Sequence, residues 1–176
     1  MLLGNSPVLD DNTRFKSLNK DNINFNDVYE NIINFIKSDT NSSYRISIGT
    51  DSQTGKAKTV FVSCIHIHRI GRGAIGFLHK SSIPRQVKNL REKIYLETCS
   101  TLQLAYLFNE ERIEAIKDLL GPRVCFEFHI DIGTRGSTKT LINEMVGMVK
   151  GLDFVPKIKP ESYCASCFAD RFTKAM

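Results

Sequence analysis

Two aspartates stand directly behind strand-like runs: Asp51 in ISIGTDSQ and Asp131 in FHIDIGT. A carboxylate fixed on a rigid strand end can hold a hard cation. Mg²⁺ takes oxygen ligands and keeps several waters, so a few such groups suffice. Carboxylates converging on two Mg²⁺ ions about 4 Å apart can activate a water and stabilise a departing oxygen in phosphodiester hydrolysis. Glu97 and Asp170 extend the possible set. Each acid also has a plainer use. Asp51 and Asp131 suit Asx turns, and Glu97 suits a solvated helix face, with Glu92 as its rival five residues earlier. Asp170 lies among Cys167, Phe168, Ala169 and Phe172, where a charge needs a partner, a metal or water. Two acids that each follow a buried-type run favour a joint role.

His66 and His68 share one face of a predicted strand, but no third ligand accompanies them, so packing or hydrogen bonding is expected. His129 shares a face with Asp131 and is expected to orient it. GTRGSTKT at 133–140 resembles an anion-binding helix start, yet it lacks the Gly-Lys-Ser/Thr of a phosphate loop. Arg135 and Lys139 remain there as candidate phosphate contacts, with a helix cap as the alternative. Cys164 and Cys167 form a lone CxxC with no second pair at zinc spacing, in a stretch that reads as packed helix. Five cysteines, three of them in apolar runs, suit buried thiols in a reducing compartment.

These residues need positioning. Residues 1–25 read as an irregular arm. Val28, Ile32, Ile33 and Ile36 recur at helical spacing, which predicts a helix over Phe25–Lys37 with Asn26 near its start. Strands are predicted at Tyr44–Thr50, Thr59–Arg69 and Ala74–Ile83, joined by turns at Thr54–Gly55 and at GRG 71–73; such short links imply an antiparallel meander. Helical sequence then runs from Pro84 to about Leu120, split near Asn109. Val124–Ile132 reads as a strand covered on both faces. Ser137 can cap a helix carrying Leu141, Ile142, Met145, Val146 and Val149. Phe154–Ile158 is a short edge strand because Pro156 cannot donate. A last helix follows Pro160.

A meander followed by two helix-linked strands predicts an α/β fold with a five-stranded mixed sheet, antiparallel on one side and parallel on the other. Asp51 ends the first strand and Asp131 the fourth, its parallel neighbour, so both acids reach one edge of the sheet. The order is that of ribonuclease H. IGTDSQ, REKIYLETCS, HIDIG with VGMVKG behind it, and KPESYCASCFADRFTK resemble the YkuK-like family of uncharacterised bacterial proteins, within the ribonuclease H-like superfamily. The likeness runs from about Phe15 to Lys174. It implies an N-terminal arm and helix (1–43) packed on a ribonuclease H-like domain (44–176) flanked by helices. It also implies Asp51, Glu97, Asp131 and Asp170 as catalytic and metal-binding residues for two Mg²⁺ or Mn²⁺ ions. In the implied mechanism Asp51 bridges both ions, Glu97 and Asp131 each complete one coordination sphere, and Asp170 serves the ion nearer the attacking water. The expected activity is metal-dependent nuclease hydrolysis. The alternative is a non-catalytic nucleic-acid-binding module that keeps the fold. An actin-like phosphotransferase would need a second domain across a cleft.

Composition agrees with this class. Hydrophobic residues make up 41% of 176 residues and charged residues 24%, ordinary for a globular domain. No apolar run reaches the roughly 20 residues that span a bilayer, and the N-terminus lacks signal-peptide character, so a cytoplasmic location is expected. The net charge is +5. Between Arg69 and Lys93 stand seven Lys/Arg residues against the single acid Glu92. That density suits either a nucleic-acid partner or a solvated basic face. Arg85, Lys88, Arg91, Arg135, Lys139, Arg171 and Lys174 are the candidate nucleic-acid contacts.

Overall fold

The computed structural model describes residues 8–164. Five strands form one sheet: β1 (Tyr44–Thr54), β2 (Thr59–Arg69), β3 (Ala74–Ile83), β4 (Val124–His129) and β5 (Val155–Lys157), in the order β3-β2-β1-β4-β5. β1, β2 and β3 are antiparallel neighbours, while β4 runs parallel to β1 and β5 parallel to β4. The helices are α1 (Phe25–Lys37), α2 (Leu90–Leu107), α3 (Glu110–Leu120) and α4 (Lys139–Val149). This is the mixed sheet expected from the element order. The predicted final helix falls largely on 165–176, outside the described residues.

Local chemistry sets the helix ends. Asn24, rather than Asn26, caps α1: its side chain accepts from the Asp27 amide while Asp27 accepts from the Asn24 amide, a reciprocal capping box. Asn109 caps α3 and divides the long helical run where the sequence suggested. Thr138 is the cap residue of α4, and it makes no side-chain cap bond.

The two faces of the sheet differ. Ile46 and Ile48 of β1, Ile65 and Ile67 of β2, and Phe126 and Phe128 of β4 share one face and join α1–α4 in the main core. On the other face lie Arg45, Ser47, Gly49 and Asp51 of β1, paired with His68, His66, Cys64 and Val62 of β2, and Glu127 and His129 of β4. This second face is polar yet largely buried, with Tyr163 and Cys164 packed over it.

Two strand ends differ from expectation. β1 continues through Thr54 instead of stopping at Thr50, because Asp51–Thr54 stay paired with Thr59–Val62 of β2. Asp51 therefore lies within the strand. β4 ends at His129, so Asp131 stands two residues past it. Its chain still follows β5: the Ile130 amide donates to the Lys157 carbonyl and the Lys159 amide to the Ile132 carbonyl, both at 2.9 Å. At the opposite rim, the Lys16 amide donates to the Leu78 carbonyl and the Leu78 amide to the Lys16 carbonyl, each at 2.8 Å, laying the N-terminal arm along β3. The described cysteines are all free thiols. Cys64, Cys99 and Cys164 are buried, but Cys125 is exposed because nothing described covers the start of β4 on its polar face.

Candidate active site

The parallel ladders decide what meets at the carboxyl end of the sheet. Gly49 pairs with His129, and His129 with Lys157. Two residues further along each chain stand Asp51, Asp131 and Lys159: the Asp131 segment stays bonded to the chain of β5, and Lys159 feels the charges of Asp131, Asp51 and Glu97, the acidic row of this end of the sheet. Asp51 is buried and Asp131 half-buried. The Lys159 ammonium stands 2.7 Å from Asp131 Oδ1. This close ion pair lifts the lysine pKa, opposed by partial burial and helped by the charges of Asp51 and Glu97.

Glu97 reaches the row from α2. Strand alternation turns Ser52 away from Asp51's face, and its hydroxyl donates to Glu97 Oε1 at 2.7 Å. Lys93, one turn earlier on α2, lies 3.7 Å from the same oxygen. Burial pushes the Glu97 carboxyl up to about 8; Ser52 and Lys93 oppose the shift, and the charges of Asp51 and Asp131 add to it. The charges of Asp51 and Asp131 thus both reach Glu97. Glu92, the rival, is held at the start of α2 by Arg85 instead.

Hard oxygen donors and mutually repelling carboxylates fit a divalent cation by type and by charge. Their gathering is incomplete: among the described residues no three His, Cys, Asp or Glu side chains come together closely enough to hold a metal ion. Asp131 is engaged by Lys159 instead. Asp170, Arg171, Lys174 and Cys167 lie outside the described residues.

His129 does not orient Asp131. Its Nδ1 accepts the Cys164 amide at 3.0 Å, so the ring proton is on Nε2, which donates to Glu127 Oε2 at 2.8 Å. Both nitrogens are committed, and Asp131 is left to Lys159. Glu127 also accepts from the Ser47 hydroxyl at 3.3 Å and pairs with Arg45 at 3.1 Å. Burial alone would raise the Glu127 carboxyl, but the His129 bond and the Arg45 charge outweigh it and hold the pKa below its ordinary value. Tyr163 closes the network, bonding Ser47 at 3.1 Å and meeting the His129 ring edge-on at 4.8 Å. Glu127→Leu should therefore cost about 3 kcal/mol, because it strands a buried imidazole N–H and half of an ion pair. In a chain of this size that is a fall of roughly 10 °C in Tm, measurable by thermal unfolding. An unchanged Tm would show that the network adds nothing to stability.

The remaining candidates divide. Arg85 pairs with Glu92 and Arg91 with Glu144, each at 2.6 Å. Lys88, Arg135 and Lys139 are exposed. His66 and His68 stack loosely, with ring centroids 6.1 Å apart, and burial lowers the His66 pKa to about 4, in keeping with a packing role.

Comparison with known proteins follows from this geometry. The family model described as Ribonuclease H-like matches residues 27–174. The chain belongs to the ribonuclease H-like family. It is also 41% identical over 170 residues to the uncharacterized protein YkuK of Bacillus subtilis (strain 168), covering 93% of this chain and 99% of that protein. No solved structure gives a significant match. The contact of Lys159 with Asp131 and the Glu127–His129 network lie outside what the sequence predicted. The available signals were the alternation of KIKP after Val155, which puts Lys159 two residues beyond Lys157, and an acid inside the otherwise apolar VCFEFHI.

Proposed function

We propose that this chain is a metal-dependent nuclease that hydrolyses phosphodiester bonds of nucleic acid. The observation that carries this reading is the buried Glu97, which feels the charges of both Asp51 and Asp131 at the carboxyl end of the central strands. Two Mg²⁺ or Mn²⁺ ions held by these residues, with Asp170 as the fourth ligand, would activate a water and stabilise the leaving oxygen. The chain's own contribution is positional. Ser52 fixes the Glu97 carboxylate, and the pairing of β1 with β2 fixes Asp51. Lys88, Arg135 and Lys139 are exposed, the last two in and just after the loop behind Asp131, where they would meet backbone phosphates. No described helix is long and apolar enough to cross a membrane, and free thiols support the proposed cytoplasmic location.

The Lys159–Asp131 pair favours a second reading, a non-catalytic nucleic-acid-binding module in which lysine stands where a metal would. Labelled RNA, DNA, hybrid and junction substrates, each incubated in Mg²⁺, Mn²⁺ or chelator, separate the two. The nuclease reading expects cutting of at least one substrate with metal and none with chelator. Binding without cutting under every condition would replace it with the second reading.

A further inference from the structure

We propose that Lys159 is the resident cation of the acidic row and sets how tightly the site takes a divalent ion; the inference rests on the metal-dependent reading above. The backbone of Lys159 is tied down by its own amide bond to Ile132 and, two residues earlier, by the Lys157 carbonyl's bond from Ile130. Its Cα is therefore held beside Asp131 by backbone bonds that continue the β4–β5 pairing. Its ammonium stands 2.7 Å from Asp131 Oδ1. The side chain is 49% exposed, so the flexible four-carbon stem has solvent into which to swing.

An incoming divalent ion that takes the same Asp131 oxygen has to displace this ammonium, because two cations at ligating distance from one oxygen repel strongly. Metal entry is then an exchange of cations and costs the Lys159–Asp131 ion pair. Lys93 plays a weaker version of this part at Glu97, at the longer distance of 3.7 Å. The pattern makes Lys159 a specificity-determining residue: without metal it keeps Asp131 compensated, and it admits ions that bind strongly enough to evict it.

Mn²⁺ titration of the full chain by calorimetry, without nucleic acid, tests this on the unmodified protein, Lys159→Met and Lys159→Arg. Circular dichroism verifies folding, and Lys159→Gln replaces the methionine variant if that one fails to fold. Loss of the ammonium should tighten Mn²⁺ binding by about tenfold, while the arginine variant, which keeps the charge, should stay within about threefold of the unmodified chain. Equal or weaker binding by the uncharged variant would overturn the role of Lys159 and leave the metal reading in place. If neither the unmodified chain nor the uncharged variant binds Mn²⁺ at millimolar concentration, the role and the metal reading both fall.

Discussion

Asp51→Asn should abolish metal-dependent cleavage while leaving Tm within a few degrees of the unmodified chain. The substitution keeps size and shape and removes one negative charge. Asp51 sits inside β1, paired with Val62 of β2, so an amide there fits the strand as well as a carboxylate does. Its charge also contributes to raising Glu97. Deleting it relieves that repulsion and works against any loss of stability. Function has no such compensation, because an amide is a poor ligand for a hard cation and carries no charge to neutralise it. A cleavage assay and a melting curve on the same sample check both halves. Undiminished cutting by the variant would remove Asp51 from the chemistry.

The second large effect concerns pH. Glu97 titrates near 4.5 in an unfolded chain and near 8 in the folded one. Below pH 4.5 the carboxyl is protonated in both states and costs nothing. Between pH 4.5 and 8 the unfolded chain releases this proton and the folded chain keeps it, so stability falls as pH rises. Above pH 8 the loss is complete and constant. Linkage puts the full loss on the order of 5 kcal/mol. Glu97→Gln, neutral at every pH, should match the unmodified chain near pH 4 and exceed it by several kcal/mol near pH 9, as read by urea unfolding across that range. Parallel pH profiles for the two proteins would show that Glu97 ionises freely in the fold. If the metal reading is right, Mn²⁺ added at pH 9 should restore part of the lost stability to the unmodified chain and little to the variant.

Much of this arrangement was readable in the residues, for identifiable reasons. β2 and β3 have alternating or β-branched sequences bounded by glycine turns, and both strands match their predicted limits. The parallel adjacency of β1 and β4 followed from the helix-linked strand order. The limits of β1 and β4 were misjudged because partners set them. SQT reads as turn sequence, yet β2 holds it in the ladder, and HIDI reads as strand, yet the pairing with β1 stops at Gly49. Arg85 and Arg91 looked like free positive charge, but Glu92 and Glu144 take them up; Glu144 lies 53 residues away on another helix. His129 was misassigned for the same reason. Its partner Cys164 is 35 residues distant, and no local pattern announces such a contact.

The two outer strands carry a consequence for how copies of this chain meet. At one rim the arm occupies both backbone groups of Leu78. At the other, β5 is three residues long and contains Pro156, which has no amide hydrogen to offer. Among the described residues, β5 is too short to recruit another polypeptide into a continuous β-structure, and the arm interrupts the border of β3 at Leu78.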